Sequence, residues 1–302
     1  MATFISTRPY NIHRIILRST LRPSFVIPAR QHSTKTPQKS SWTHPTYTQE
    51  HIVAVAPAHL KPSTWQDRVA LQKVRLLRWG MDFATGYKSG GKDASQNKMT
   101  EEKWLRRFIF LESVAGVPGM VAGMLRHLKS LRQMRRDNGW IETLLEEAYN
   151  ERMHLLTFLQ LAEPTPLMRF MVLGAQCVFF SGFSLAYLIS PQICHRFVGY
   201  LEEEAVVTYS KAIRDLDNGQ LPKWESLQAP AMAVRYWQMP ADRQCMRSLL
   251  LYVRADEAKH CEVNHTLGNL DQNLDPNPYA LQVKERLQQV SHATQVSGVR
   301  QD

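Results

Sequence analysis

Acidic residues are missing from the start of this 302-residue chain: seven Arg or Lys (Arg8, Arg14, Arg18, Arg22, Arg30, Lys35 and Lys39) precede the first acid, Glu50. An Arg-, Ser- and Thr-rich segment without acids has the composition of a mitochondrial transit peptide. Residues 1–50 are therefore expected to be a transit peptide and disordered start, with a plain disordered basic tail as the alternative. Setting that segment aside takes about seven units from the formal net charge of +10. The remaining body is mildly basic and gives no reason to invoke nucleic acid. Cysteine is scarce as well. Cys177, Cys194, Cys245 and Cys261 form no Cys-x-x-Cys pair, which argues against a thiol-based metal or redox motif and suits reduced thiols in a matrix-like compartment. All four lie in stretches that read as helix, where they are taken as small buried hydrophobes. No internal repeat is visible apart from one short motif that occurs twice.

That motif is Glu-x-x-His, first in Asn150-Glu151-Arg152-Met153-His154 and again in Glu257-Ala258-Lys259-His260. Residues three apart on a helix are neighbours, so one carboxylate and one imidazole can converge on a single ion. Two copies suggest two ions. A ferritin-like di-metal bundle takes Glu-x-x-His from two helices and one Glu from each of two others. The first single Glu is Glu112, an isolated carboxylate in the apolar stretch 108–125, on a face with Leu105, Phe108, Ile109, Gly116 and Met120. The second comes from Leu201-Glu202-Glu203-Glu204-Ala205. Successive residues turn by about 100°, and Glu202 shares the stripe of His195, Val198, Ala205 and Tyr209, so it is the better choice. Three solvent-facing acids are the plain alternative for such a run.

The helices that carry these residues are bounded by local signals. After an extended arm at 51–63, a basic amphipathic helix is expected from Thr64 to Trp79, capped by Ser63 or Thr64, of the kind that lies on a membrane surface or packs on its own core. Gly86 to Ser95 reads as a loop. Thr100-Glu101-Glu102 caps a long helix to Arg135 with a kink at Pro118, where Gly116, Gly119 and Gly123 permit close approach of another helix. Asn138-Gly139 marks a turn before a helix over 140–162, on which Glu147, Glu151, His154 and Phe158 form one stripe. Phe170 to Ser190 has no charge and is long enough to cross a membrane. Carrying Glu112 into hydrocarbon would cost several kcal/mol, which favours embedding in one leaflet over a two-span protein. Ser190-Pro191 starts a helix to Asp217, stopped at Asn218-Gly219. A loop with Pro222, Pro230 and Pro240 leads to a last core helix over 241–267, with Val253, Glu257, His260 and Asn264 on one side. The expected architecture is all-α: a ferritin-like four-helix bundle over 64–270 with a two-metal centre, two additional membrane-associating helices, and a C-terminal tail at 271–302.

Four carboxylates bring a charge of −4, which balances two ferrous ions and leaves a diferric pair in need of oxide or hydroxide. Carboxylate and imidazole also suit iron or manganese over soft metals. Tyr209 lies two turns after Glu202 on the same face, where a phenol could lend an electron and a proton, or serve as a core tyrosine bonded to a neighbouring acid.

In order and spacing, Leu111-Glu112-Ser113, Asn150-Glu151-Arg152-Met153-His154-Leu155, Leu201-Glu202-Glu203-Glu204-Ala205 and Arg254-Ala255-Asp256-Glu257-Ala258-Lys259-His260 resemble the mitochondrial alternative oxidases, cyanide-insensitive ubiquinol oxidases, over about Trp65 to Leu270. The resemblance implies two iron ions held by Glu112, Glu151, His154, Glu202, Glu257 and His260, with Tyr209 as catalytic tyrosine and Asn150, Asp256 and Trp237 as supports. It implies a quinol pocket at Arg107, Leu111, Leu201, Glu204, Ala205 and Thr208, with Arg78 and Asp82 near its mouth. The implied partners are ubiquinol, O2, lipid of one leaflet on the matrix side of the inner mitochondrial membrane, and a second copy in a homodimer. Ser113 stands where plant members usually have Thr. No cysteine precedes Cys177, so the regulatory thiol of plant members is missing and fungal-type behaviour without that control is expected. The competing readings are a quinone-ring hydroxylase and a ferritin-like iron-binding protein without turnover.

Overall fold

A computed structural model of the protein describes residues 44–85, 87 and 99–280. The chain divides into two compact units, Met1–Ser40 and Ser41–Asp302, and the first lies outside the described residues. So do most of the expected transit peptide, nearly all of the expected loop at 86–95 and the end of the C-terminal tail.

The regular structure among the described residues is helical, apart from one isolated bridge between Gln228 and Cys245. In chain order the helices are α1 (Gln49–Ala54), α2 (Trp65–Thr85), α3 (Glu101–Gln133), α4 (Trp140–Phe158), α5 (Pro166–Ile189), α6 (Pro191–Asp217), α7 (Pro222–Glu225), α8 (Ala231–Tyr236) and α9 (Met246–Leu267). Helix α3 packs along α4 and α6 along α9, while α5 lies against α3 and α6, and α2 against α6.

Local chemistry sets the boundaries. Thr64 Oγ1 accepts from the Asp67 N–H at 3.1 Å, and the Asp67 carboxylate accepts from the Ser63 and Thr64 N–H groups in return. This reciprocal cap starts α2. Ser190 both ends α5 and caps α6, where Pro191 occupies the first turn, a position at which the missing N–H costs nothing. Helix α3 is continuous through Pro118. At Gly119 an added Cβ would lie 2.6 Å from the Leu144 carbonyl oxygen, so α3 and α4 meet there backbone to backbone. Gly139 has φ 85°, a left-handed conformation natural to glycine, and it turns the chain into α4.

Several expectations need correction. Helix α4 stops at Phe158, because Gln160 and Leu161 bond three residues back in a tightened last turn. Helix α1 crosses the boundary expected between the transit peptide and the arm, and the proline-punctuated loop contains α7 and α8. The last helix begins at Met246, since Ala241–Arg243 forms a separate short turn after Pro240. Met120 is 53 % exposed; eight residues from Glu112 correspond to about 800°, some 80° off the ligand face. Cys177 is exposed, only Cys194 is buried, and Cys245 precedes α9 instead of lying within it.

Two apolar clusters flank a polar middle. One gathers Trp104, Phe108, Phe158, Tyr209, Leu249 and Val253; the other gathers Val121, Trp140, Leu144, Val198, Val263 and Leu267. Glu112 on α3, Glu147, Glu151 and His154 on α4, Glu202 and Glu203 on α6, and Asp256, Glu257 and His260 on α9 fall between these two blocks. Helix α5 leaves most of its apolar side chains exposed, among them Phe170, Leu185, Leu188 and Ile189. On α2 the buried face of Asp67, Ala70, Leu71 and Val74 opposes an exposed one with Trp65, Leu76, Trp79 and Phe83. Two helices, α3 and α5, are long and apolar enough to cross a membrane; the apolar window of α3 is 56 % buried inside the protein and that of α5 is 11 %.

Candidate metal centre

Two groups of ligand-type side chains meet in the polar middle. Glu112, Glu151, His154 and Glu257 bring ligand atoms within 4.8 Å of one another, and so do Glu151, Glu202, Glu257 and His260. The six residues come from α3, α4, α6 and α9, and all are buried. Glu151 and Glu257 belong to both groups. The i, i+3 spacing on α4 and α9 brings each carboxylate to its own helix's imidazole, and the shared carboxylates bring the two groups together.

The chemistry of this cluster is unresolved by hydrogen bonding. His154 Nδ1 lies 3.3 Å from Glu112, 3.5 Å from Glu151 and 3.3 Å from Glu257. His260 Nδ1 lies 2.7 Å from Glu151 and 3.8 Å from Glu257. These are ion-pair distances without hydrogen-bond alignment: both oxygens of Glu151 and Glu257, Glu112 Oε2 and both imidazole Nδ1 atoms have no hydrogen-bond partner. Burying so many unaligned polar atoms costs free energy, and atoms aimed at common points are what a pair of cations requires. The donor set of four carboxylates and two imidazoles fits iron or manganese.

Burial, reinforced by the charges of Glu257 and Glu151, pushes the carboxyl groups of Glu112 and Glu202 well above the ordinary range. Burial also disfavours charge on His154 and His260, but contacts to Glu151 and its neighbours outweigh it and hold both imidazoles well above their usual value. Glu151 is held low: burial opposes its charge, and His154 and His260 overcome that. Without ions the cluster thus holds protons where ions would bind. Next to it, burial raises Glu147 to about 7, and Asn264 Nδ2 donates to both of its oxygens at 3.0 and 2.9 Å.

Around the cluster, Asp256 Oδ2 accepts from His154 Nε2 at 3.1 Å, Asn150 Nδ2 at 3.1 Å and Trp237 Nε1 at 2.8 Å. Asn150 also donates to Tyr236 Oη at 2.9 Å. Tyr209 Oη donates to Glu112, and its ring stacks on Phe108, which also packs against Phe158. Tyr209 is a core tyrosine bonded to an acid, and that acid is itself a ligand candidate.

Of the eight pocket candidates, Arg78, Asp82, Arg107 and Glu204 are joined by ion pairs. Asp82 links Arg107 Nη2 at 2.7 Å and Arg78 Nε at 3.3 Å, and Arg78 pairs with Glu204. Thr208 Oγ1 donates to the Glu204 carbonyl at 2.8 Å. Leu111 and Leu201 are half-buried and Ala205 is buried. Arg107 is 1 % exposed, and its guanidinium lies 4.6 Å from the Tyr87 ring centroid. Its charge is therefore already engaged by Asp82, a partner that sequence spacing did not suggest. Sequence reasoning also missed His44 and Tyr47, both bonded to Asp256 Oδ1 at 2.7 Å, because they fall in or beside the acid-free start. None of the three acids at 202–204 faces freely into solvent: Glu203 binds His59, the Leu60 N–H and His265.

Residues 47–269 match the family model described as alternative oxidase. The chain is 61 % identical over 285 residues to the mitochondrial alternative oxidase of Aspergillus niger, covering 93 % of this chain and 78 % of that protein. It is 66 % identical over 250 residues to that of Emericella nidulans, covering 82 % and 71 %, and 63 % identical over 247 residues to that of Ajellomyces capsulatus, covering 80 % and 69 %.

Proposed function

The chain belongs to the alternative oxidase family and is an oxidase, and from that premise we propose that it oxidises two ubiquinols and reduces O2 to two waters at a di-iron centre in a ferritin-like four-helix bundle. The observation that carries this reading is the meeting of two buried ligand groups through the common residues Glu151 and Glu257. Glu112, Glu151, His154 and Glu257 would hold one iron, and Glu151, Glu202, Glu257 and His260 the other. The bound ions would supply redox chemistry with oxygen.

The rest is the work of the protein. Asp256 holds His154 so that Nδ1 faces the carboxylates and Nε2–H is spent on a hydrogen bond, the tautomer a ligand needs. Tyr209 points its hydroxyl proton at Glu112, in position to lend a proton and an electron to an oxygen reduction whose four electrons come overall from the two ubiquinols. Phe108, Phe158 and the apolar blocks exclude water. Arg107, with Asp82 and Arg78, sets a cation one helical turn before Leu111 and the metal ligand beyond it, where a quinol oxygen can be bound in exchange for part of the Asp82 contact.

The apolar outer sides of α2 and α5 support embedding in one leaflet: such a patch exceeds what a soluble monomer normally exposes, while the mostly buried face of α3 fits a core helix. The acid-free start and the mitochondrial relatives support the matrix side of the inner mitochondrial membrane, as a homodimer and without proton pumping. Oxygen uptake with ubiquinol in the presence of cyanide, with the quinone product analysed, tests the proposal. Unmodified quinone with water as product is expected, and Glu202→Ala should abolish uptake and lower bound iron. A hydroxylated quinone would favour the hydroxylase reading, and iron without uptake the storage reading.

A further inference from the structure

Two residues ahead of the first long helix reach the support of the metal centre. His44 Nε2 and Tyr47 Oη each donate to Asp256 Oδ1 at 2.7 Å, across 212 and 209 positions of chain. With Asn150, His154 and Trp237 on Oδ2, this carboxylate has five donors for about four lone-pair sites. It cannot turn about its axis without breaking several hydrogen bonds. His44 is 7 % exposed, its ring packed on Tyr47, Tyr236 and Trp237. The arm that carries these residues is fixed in turn. Thr48 caps α1, Ile52 is fully buried, and Arg254 Nη2 donates to the Ile52 carbonyl at 3.0 Å. Farther on, the Leu60 N–H donates to Glu203 at 2.9 Å.

We infer that His44 and Tyr47 are positioning residues of the metal centre, acting through Asp256 on His154, and that the working chain retains the polypeptide from His44 onward. The inference rests on the di-iron reading and deepens it. Asp256 can fix the tautomer and aim of His154 only while its own orientation is fixed, and among the described residues His44 and Tyr47 are the donors to its Oδ1. Without them a buried carboxylate oxygen is left unsatisfied. The carboxylate then turns toward Asn150, Trp237 and His154 or draws water into the cavity of about 40 Å³ lined by His44, Tyr47, Asn150, Tyr236, Asp256 and His260. Either change loosens the imidazole from its aim at Glu112, Glu151 and Glu257. A segment made only for import would have no cause to bury a histidine on this carboxylate.

The test uses full-length protein loaded with iron. Iron content is measured first, followed by the rate of ferrous iron release to a chelator without oxygen and the integer-spin EPR signal of the reduced protein. Loss of partners of this kind typically costs 10–100-fold in metal affinity. Tyr47→Phe, which removes one oxygen atom, and His44→Ala should each speed release about tenfold and alter the EPR signal. His44→Gln, which keeps an N–H donor at similar reach, should restore most of the wild-type rate. Wild-type iron content with unchanged release and spectrum in both variants overturns the inference while leaving the di-iron reading intact; so does failure of His44→Gln to differ from His44→Ala. Wild-type protein that binds no iron overturns the di-iron reading itself. N-terminal sequencing of the mature chain gives an independent check: a start at or before His44 is expected, and a start beyond Tyr47 contradicts the inference.

Discussion

Loading the centre with ferrous iron should release protons, and iron affinity should fall as the pH is lowered. In the metal-free cluster Glu112, Glu202, His154 and His260 all bind protons more tightly than ordinary groups of their kind, whereas Glu151 is held as a carboxylate. Iron requires both glutamates ionised and both imidazoles neutral, so every proton these groups hold must leave, up to four. Because these pKa values are raised, the protons are held throughout the range below them, and lowering the pH strengthens the competition against metal. Each released proton changes the binding free energy by about 1.4 kcal/mol per pH unit, so four give about 5.5 kcal/mol, or roughly ten-thousandfold in the combined affinity of the two ions. Anaerobic calorimetry of ferrous iron into metal-free protein, run in two buffers of different protonation enthalpy, counts the protons directly. The count does not depend on which residue of the coupled cluster holds each proton. A release of one proton or fewer per chain, or an affinity that stays flat between about pH 6.5 and 7.5, would refute this account of the apo cluster.

Other consequences are simpler. Tyr209→Phe removes only the hydroxyl that bonds Glu112, so iron content should persist while cyanide-resistant oxygen uptake falls at least about a hundredfold; loss of iron instead would refute the proposed role. Gly119→Ala forces a methyl group against the Leu144 carbonyl, 2.6 Å away, and should destabilise the α3–α4 contact by about 1–3 kcal/mol, read as a lower thermal midpoint. Replacing exposed Leu188 on α5 with Lys should weaken binding to vesicles that mimic the inner membrane, without changing iron content; unchanged vesicle binding would count against the one-leaflet reading.

Much of this molecule was legible because its signals are local. Ser190-Pro191 and Asn218-Gly219 bracket α6 as expected, and the 100° turn between neighbours separated Glu202 from Glu203 before any coordinates. The pairing of Glu-x-x-His motifs with two awkward glutamates pointed to one cluster because each of those residues has few other ways to be buried. What stayed hidden depends on contacts far apart in the chain. The sharing of Glu151 and Glu257 between two groups follows from how α4 and α9 are set along each other, which periodicity does not encode. Glu203 looked like one of three solvent-facing acids, yet it is buried by His59 and His265, 144 and 62 positions away. Arg107 looked like a cation awaiting a ligand until Asp82 on α2 claimed it. His44 and Tyr47 lay in or beside a stretch whose composition argued for removal, and composition carries no record of a hydrogen bond to Asp256.

The claim beneath the rest is that these six side chains hold two ions in contact through common carboxylates. Iron quantification on purified, anaerobically reconstituted protein, with Mössbauer spectroscopy of the oxidised form, addresses it most directly. The account predicts two irons per chain, one for each ligand group, magnetically coupled, with both lost in Glu151→Ala because that residue serves the two groups. One iron per chain, two uncoupled irons, or a Glu151→Ala protein that keeps a coupled pair would contradict it.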